Sequence, residues 1–476
     1  MLPMGVSGGP LTEPRLSPVL DRSHWLLLAL PLAVALAAGL AVSARQNYLL
    51  FTVVVVAVAG AWLRHPVIGL SATMLLTMLD FRTQLGGISL RLYEAVGVAA
   101  LALPTTWSTV LESLRRPAIR TFVPLALLTA WTLASTVYSF SPLASLSYAV
   151  RLVVVLTFVL VCCRVAVEPG ALPALRMSLG IGLVVILVVG FLQLAVGRDF
   201  LDLLAAGAYV PTMSTESLRR AAGSFLVGHY GQLRPFGFAA TPHAHAAMLG
   251  CIGLYFVLGS GHLAFHRLLG GVAILQVILA DVNGALLGVA LASCAVLAVK
   301  IFRGSDRTGG VLIGGALAIT IVAVALQGGI LPAIRQGFVG RFPLWNTGAA
   351  AFLERPIIGW GAGSAASILA PLAAEVGYMF DHFHNWYLET AAETGLVGLG
   401  LLVFWLSTLI RHAMRAHSPD GAALLAVTVF FGGYGLVDSF VGGGNVAFAA
   451  FLITVGLLLT SGDLPNTALL SSSRTN

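Results

Sequence analysis

The chain has 476 residues, of which only 26 are lysine or arginine and 19 are aspartate or glutamate, while 58% are hydrophobic. A soluble domain carries roughly 25% charged residues, so this composition excludes a water-soluble fold, and its apolar content excludes a disordered chain. The formal net charge of +7 does not indicate nucleic-acid binding, because the basic residues are scattered between apolar runs. The composition predicts an integral membrane protein that crosses the bilayer many times.

Apolar runs that approach the ~20 residues of a membrane helix recur along the whole chain. They fall at 24–42, 48–63, 66–80, 95–112, 119–137, 145–163, 171–196, 243–259, 267–282, 284–302, 309–328, 385–410, 420–437 and 446–461. Three of them are short, so we predict an all-α, polytopic bundle of about 12–14 transmembrane helices. The runs lack the alternating pattern of a membrane β-barrel.

Basic residues in the short loops indicate the cytoplasmic side, where arginine and lysine accumulate. If all fourteen runs cross the membrane, one side collects Arg64, Arg115, Arg116, Arg120, Arg164, Arg267, Lys300, Arg303, Arg307, Arg411 and Arg415. Two long loops then face outward. The predicted organisation is N-terminal helices (1–196), a first outer loop (197–242), central helices (243–328), a second outer loop with amphipathic helices (329–384), C-terminal helices (385–461) and a cytoplasmic tail (462–476).

The outer loops contain arginines that the charge rule does not require. They are Arg198, Arg219, Arg220 and Arg234 in the first loop, and Arg335, Arg341 and Arg355 in the second. Tolerated surface charge is one interpretation, because long loops obey the rule weakly. The set also predicts an anion-binding surface, since a guanidinium donates bidentate hydrogen bonds to phosphate and stays charged.

Arg234 and Arg341 lie close to proline and glycine residues, which often mark turns and the ends of helices. Arg234 begins the sequence Arg-Pro-Phe-Gly-Phe, shortly before Thr-Pro-His at the mouth of the next apolar run. Arg341 precedes Trp345 by four residues, and the tryptophan is expected to anchor a short helix at the headgroup level. Snorkelling to the interface is the alternative for both arginines. Three glycines at alternate positions follow in 359–363, which favours tight packing over a backbone cradle for phosphate.

The densest polar cluster lies at the entrance of the run that follows the second outer loop. It begins at Asp381 and contains two histidines, an asparagine and two glutamates. Helical spacing predicts that His382, Asn385, Glu389 and Glu393 share one face. Ionisable groups at a membrane helix entrance should face the bundle interior, so the cluster predicts a functional site.

A histidine in this cluster suits proton transfer. A neutral histidine acts as a general base near physiological pH, and an adjacent glutamate or asparagine can orient it. Arginines that stabilise charge on a departing phosphate would complete a transferase site. A metal site is the less favoured alternative, because the spacing of Asp381, His382 and His384 matches no familiar zinc signature. We therefore predict no metal.

These segments resemble the O-antigen ligase and polymerase superfamily of bacterial membrane glycosyltransferases. His-Asn-Trp-Tyr-Leu at 384–388 and Glu-Thr-Gly-Leu-Val-Gly at 393–398 are similar to the family's His-Asn-x-x-Leu and Glu-x-Gly-x-x-Gly motifs. Arg-Phe-Pro-Leu-Trp at 341–345, followed by Pro-Ile-Ile-Gly-Trp-Gly at 356–361, is similar to its arginine and Pro-hydrophobic-x-Gly-x-Gly segment. Arg-Pro-Phe-Gly at 234–237 resembles its first outer-loop arginine.

The resemblance implies transfer of a glycan from an undecaprenyl-pyrophosphate carrier to a hydroxyl of a glycan, lipid or protein acceptor. It implies a site on the periplasmic face of the bacterial inner membrane, among membrane lipids, that inverts the sugar and uses no metal, nucleotide or other cofactor. By position, Arg234 and Arg341 would bind the pyrophosphate and His384 would be the base. The expected substrate-binding and supporting residues are His382 (the second candidate base), Asn385, Glu389, Trp345 and Arg220.

One departure from the family pattern leaves the identity of the substrate undetermined. Asp-Val-Asn-Gly at 281–284 stands where many members have Ser-Arg-Gly, so that arginine is missing. Ligases, polymerases and protein O-oligosaccharyltransferases share the remaining motifs. A membrane transporter or a non-catalytic partner in polysaccharide export would also have this composition. Transport predicts many ionisable residues deep within spans, and here they are few, such as Arg151, Arg176 and Asp438.

Overall fold

A computed structural model of the chain describes residues 48–80, 82–85, 88–197, 234–239, 241–302, 340–376, 380–439 and 446–462. Helices dominate these ranges, which confirms the all-α prediction. The β-structure within the same ranges is one short antiparallel hairpin of β1 (Arg82–Leu85) and β2 (Ile88–Arg91), which the sequence did not lead us to expect.

The N-terminal part of the described chain contains seven α-helices. They are α1 (Tyr48–Arg64), α2 (Pro66–Leu79), α3 (Leu92–Leu101), α4 (Pro104–Leu114), α5 (Val123–Ser135), α6 (Pro142–Val165) and α7 (Ala171–Val196). A 3-10 turn, Ala118–Phe122, leads directly into α5.

The remaining described ranges contain eight more. They are α8 (Pro242–Leu258), α9 (Ala264–Leu279), α10 (Asn283–Phe302), α11 (Phe342–Glu354), α12 (Ala365–Val376), α13 (Trp386–Arg415), α14 (Pro419–Tyr434) and α15 (Val446–Gly462). Helices α11 and α12 fall inside the predicted second outer loop.

Five of the described helical segments are long and apolar enough to cross a membrane, or six if α3 and α4 form one bent span. Several other apolar helices have only 10–17 residues, which is shorter than a straight crossing of about 30 Å requires. Two of the fourteen predicted runs, at 24–42 and 309–328, lie outside the described residues. Apolar side chains on these helices face outward, including Leu127, Val188 and Leu268 at 52%, 53% and 65% exposure. Such surfaces suit contact with lipid.

The prediction of one helix over 95–112 is wrong. The chain breaks between α3 and α4, and the two helices are bent by 89°. Pro104 is the first residue of α4, and Leu103 before it is extended, with φ −91° and ψ 125°. Proline lacks an N–H and excludes the helical conformation from its preceding residue, so the continuous apolar run cannot continue as one helix.

Helix α14 lies at the centre of the C-terminal part of the bundle, where it packs against α8, α10, α13 and α15. Aromatic rings fill these contacts: Phe431 stacks on Phe451 with ring centroids 4.3 Å apart. Trp386, the first residue of α13, meets Phe431 edge-on at 5.5 Å. The start of α13 is thereby fixed beside the end of α14.

Helix α13 is interrupted at Gly395, where φ is 70° and ψ is −168°. The segment 356–361 runs alongside the break and exchanges main-chain hydrogen bonds with it on both sides. Trp360 N–H and Gly361 N–H donate to the carbonyls of Ala392 and Glu393, at 3.0 and 2.7 Å. Beyond the break, Leu396 N–H and Val397 N–H donate to Pro356 and Ile357, at 2.8 and 3.4 Å. The two glycine-containing motifs that carry the family resemblance are therefore bound to each other through their backbones.

We predict that Gly395→Ala destabilises the protein. Alanine is strained at this positive φ, by roughly 1–3 kcal/mol, and its Cβ would lie 2.6 Å from the backbone nitrogen of Ile358. The melting temperature of the detergent-solubilised protein should fall clearly. Gly400→Ala is the matched control on the same helix, because an added Cβ there meets no atom within 4 Å. Equal melting temperatures for the two variants would contradict a strained break.

Candidate active site

The carboxylate of Asp438, just beyond the end of α14, is the centre of the polar cluster. Its side chain is only 4% exposed. One oxygen, Oδ1, lies 3.2 Å from His384 Nδ1 and accepts the Ser439 N–H at 2.9 Å. The other, Oδ2, lies 2.7 Å from His243 Nδ1, at the start of α8. One buried acid thus gathers imidazoles from two distant parts of the chain.

Asn385 sets where α13 begins. Its side-chain oxygen caps the helix by accepting the Leu388 N–H at 2.9 Å, and its amide donates to the Leu436 carbonyl at 3.0 Å. Trp386 N–H donates to the carbonyls of Gly435 and Asp438, at 2.8 and 3.1 Å. The helix start is thereby joined to the turn that carries Asp438. Asparagine favours this cap position because its side chain satisfies a free helical N–H.

The predicted single helical face is therefore wrong in part. His382 precedes α13 and Asn385 is its cap, so neither lies on the helix. Glu389 and Glu393 do lie on it, and both are buried, at 3% and 2% exposure. Glu389 Oε2 accepts the Phe383 N–H at 3.1 Å, so in this structure it positions the histidine segment.

In the segment 382–384 the middle side chain is buried, and the two histidines that flank it are partly exposed. Phe383 is fully buried in a cluster formed with α11 and α12, which includes Trp345 at its edge. His382 and His384 remain about a quarter exposed, at 26% and 28%. His384 has a φ of 52°, an uncommon conformation for a residue with a side chain, and the buried phenylalanine beside it helps to hold it.

The environment of His384 keeps its imidazole neutral. Burial and the positive charge of His382 outweigh the attraction of Asp438 and lower the His384 pKa to about 4. His384 Nδ1 lies 3.2 Å from Asp438 Oδ1 and 3.1 Å from His382 Nε2. Because the carboxylate only accepts hydrogen bonds, we assign the proton of the neutral ring to Nδ1, with the N–H groups of both imidazoles directed at Asp438 Oδ1. Nε2 then presents its lone pair. Among the described residues, no hydrogen bond reaches that atom.

His382 has the opposite character. Burial lowers its pKa, but hydrogen bonds and charges from Asp381 and Asp438 outweigh burial and raise the pKa well above 6.5. Its Nδ1 pairs with Asp381, and its Nε2 lies 3.5 Å from Asp438 Oδ1. Burial also raises the pKa of Asp438, but its three histidine partners hold that pKa well below 3.8. The second candidate base is thus a cation, and the buried acid is ionised.

The two predicted arginines have different partners. Arg341 Nη1 donates to the Val437 carbonyl, next to Asp438 in the chain, and its charge contributes to the lowered pKa of His384. Arg234 Nη2 lies 3.2 Å from Asp281 Oδ2. The Tyr434 hydroxyl, at the end of α14, donates to the His243 carbonyl at 3.1 Å.

Gln193 of α7 positions the segment that carries Arg234. Its side-chain oxygen accepts the N–H groups of Phe236 and Gly237, both at 2.8 Å, and its amide donates to the Gly237 carbonyl at 3.0 Å. Gln193 is fully buried, so these bonds are protected from water. The loop before α8 is therefore fixed on a buried amide.

The departure from the family pattern at 281–284 has a structural counterpart. Asp281 adopts a φ of 52° and turns its carboxylate to Arg234. Gly284 lies against Tyr434, where an added Cβ would stand 2.6 Å from the ring atom Cδ2. The retained glycine therefore permits close packing, and the acid that replaces the family motif binds an arginine.

The three alternate glycines at 359, 361 and 363 serve packing, the interpretation that the sequence favoured. All three have positive φ. An added Cβ at Gly361 would lie 2.6 Å from Ser139 Cα, and one at Gly363 would lie 3.1 Å from the Ala144 carbonyl. The amides of this loop meet the Glu393 carboxylate, whose Oε1 accepts the Ala365 N–H at 3.0 Å.

The structure thus brings together His384, His382, Asn385 and Arg341 around Asp438, whereas Arg234 pairs with Asp281. Trp345 is part of the apolar cluster around Phe383, and Arg220 lies outside the described residues. Sequence reasoning missed His243 and counted Asp438 only among the few ionisable residues within spans. No local spacing links Asp438 to His384, because the two are 54 residues apart.

We predict that Glu393→Ala destabilises the 359–365 loop, whereas Glu393→Gln largely preserves it. Alanine leaves a buried amide without an acceptor, at a cost of about 1–3 kcal/mol, but glutamine keeps an oxygen in place. Melting temperature and proteolysis of the loop would measure the difference. If both variants behaved alike, the carboxylate would not hold this loop.

Residues 268–403 match the family model described as O-antigen ligase. This range contains Asp281, Arg341, His382 and His384, and it ends before Asp438. The search of curated proteins finds no match for the chain.

Proposed function

We propose, from the match of residues 268–403 to the O-antigen ligase family model, that the chain transfers a glycan from undecaprenyl pyrophosphate to an acceptor hydroxyl. The acceptor would be lipid A–core or a growing polysaccharide, and the site would face the periplasm of the inner membrane. The observation that carries the proposal is the neutral His384, oriented by the buried Asp438 beside Arg341. We propose a reaction without a metal.

His384 acts as the general base. The acceptor oxygen bonds to the anomeric carbon of the glycan while the bond from that carbon to the pyrophosphate oxygen breaks. The acceptor proton passes to His384 Nε2, and the negative charge of Asp438 stabilises the resulting imidazolium. Attack opposite the leaving group inverts the sugar. General-base assistance of this kind contributes about 10²–10⁴-fold to a rate.

The arginines bind the pyrophosphate and stabilise the charge that grows on it as the glycan leaves. Arg341 uses one nitrogen for the Val437 carbonyl, and a guanidinium has five N–H donors, so others remain for phosphate. Arg234 is balanced by Asp281 in this structure, and a pyrophosphate would compete with that carboxylate. Arg220 and Trp345 remain predicted substrate contacts.

We predict that His384→Ala and Arg341→Ala each abolish transfer, and that Asp438→Asn lowers kcat roughly 10²–10⁴-fold by weakening the orientation of the base. Transfer would be measured with purified protein in detergent and a lipid-linked glycan donor. His417→Ala is the control: His417 is an exposed histidine bonded only to the nearby Arg415 carbonyl at 2.9 Å among the described contacts.

Folding must be checked alongside activity, by melting temperature and membrane insertion. Normal transfer by folded His384→Ala and Arg341→Ala proteins would overturn the proposed mechanism. Loss of transfer in the His417→Ala control would show that the assay reports a general defect.

The acceptor separates the proposed ligase from a polymerase or a protein O-oligosaccharyltransferase. The same donor would be offered with lipid A–core, with a second lipid-linked glycan, or with a serine-containing pilin peptide. The genes beside this one supply an independent indication, since a core-lipid cluster, a polysaccharide export cluster and a pilin gene each point to one acceptor.

A further inference from the structure

Three donor atoms of the polar cluster form a nearly equilateral triangle. His382 Nε2 lies 3.1 Å from His384 Nδ1, His384 Nδ1 lies 3.2 Å from Asp438 Oδ1, and His382 Nε2 lies 3.5 Å from the same oxygen. A tetrahedral zinc ion with ligands at about 2.0–2.1 Å has ligand atoms roughly 3.3 Å apart. The three separations therefore match the edges of one face of a zinc coordination tetrahedron.

Outer contacts hold two of these donors in orientation. Asp381 pairs with Nδ1 of His382, the nitrogen opposite the one that enters the triangle. His243 Nδ1 lies 2.7 Å from Asp438 Oδ2, the oxygen outside it. A carboxylate on the far nitrogen of a ligating histidine is the usual outer-shell arrangement in metal sites. His382 and His384 are about a quarter exposed, so an ion can reach them.

We propose that His382, His384 and Asp438 form a binding site for a divalent transition-metal ion such as Zn²⁺. Two imidazoles and one carboxylate suit Zn²⁺, Ni²⁺ or Cu²⁺, whereas Mg²⁺ and Ca²⁺ prefer sets made of oxygen. Three protein ligands leave a fourth position for water. The local spacing of Asp381, His382 and His384 indicated no such site, because the third ligand comes from a distant segment.

The bound ion would inhibit glycan transfer, and this consequence rests on the proposed function. A metal bound to His384 Nδ1 uses the lone pair of that atom, so the ring proton moves to Nε2. Nε2 can then no longer accept the proton of the acceptor hydroxyl. Metal binding and general-base catalysis at His384 exclude each other, and Zn²⁺ is a reversible inhibitor.

Metal binding is tested on the full-length, metal-free protein in nanodiscs. Co²⁺ is the probe, since its visible absorption reports tetrahedral coordination, and Zn²⁺ is then added to displace it. We expect one ion per chain. His382→Ala and Asp438→Asn should abolish the signal, and Asp381→Asn should weaken binding about tenfold by freeing the far nitrogen of His382. His417→Ala should bind like the unmodified protein.

Asp381→Asn keeps the test valid if the buried Asp438 variant fails to fold, because the Asp381 side chain is 85% exposed. Absence of a tetrahedral Co²⁺ spectrum in the unmodified chain would overturn the proposal. So would binding that Asp381→Asn and His382→Ala leave unchanged.

The activity arm separates this inference from the proposed function. Zn²⁺ should stop glycan transfer, EDTA should restore it, and Mg²⁺ should have no effect. Transfer without metal binding would overturn the proposed metal site but not the proposed transferase function. Metal binding without any glycan transfer would overturn the proposed transferase function but not the proposed metal site. Zn²⁺ bound during undiminished transfer would overturn the inhibition.

Discussion

A buried, ionised carboxylate needs compensation, and in this protein the compensation of Asp438 organises the site. An unpaired charge in a protein interior costs several kcal/mol, so its partners are bound to it strongly. Three imidazoles and a backbone N–H provide that compensation, and they come from the start of α8, the segment before α13 and the turn after α14. The same interaction balances charge, fixes a ring orientation and joins separate helices.

A second framework holds the first in place. The backbone exchange between 356–361 and the interrupted α13 connects the segment between α11 and α12 to the bundle. Phe383 and Trp345 belong to the apolar cluster between those helices. The histidine segment is therefore held by the packing of the Phe383 side chain and by the hydrogen bond from the Phe383 N–H to Glu389. The polar site is thus built on apolar and main-chain contacts made by neighbouring motifs.

The sequence predicted the helical membrane class and the segment that contains His382, His384 and Asn385, because apolar runs and dense polar motifs are local signals. It could not predict the contact of Asp438 with His384, which depends on how α13 and α14 pack across 54 residues. Helical spacing also failed at 382–385, because Asn385 caps α13 and the helix begins only at Trp386. The 89° bend at Pro104 shows the same limit. Hydropathy shows how long an apolar run is, but it does not show that a proline within the run breaks the helix and turns the chain.

The interruption at Gly395 has a consequence for the loop that covers it. The break lies nine residues into α13, about 14 Å along the helix at 1.5 Å per residue. Non-helical backbone at such depth is tolerated in a bilayer only where protein covers it. The loop at 356–361 provides this cover, because its backbone pairs with the N–H and carbonyl groups around the break at Gly395. The loop therefore has a structural task at the helix, although it belongs to a segment that the sequence assigns to water.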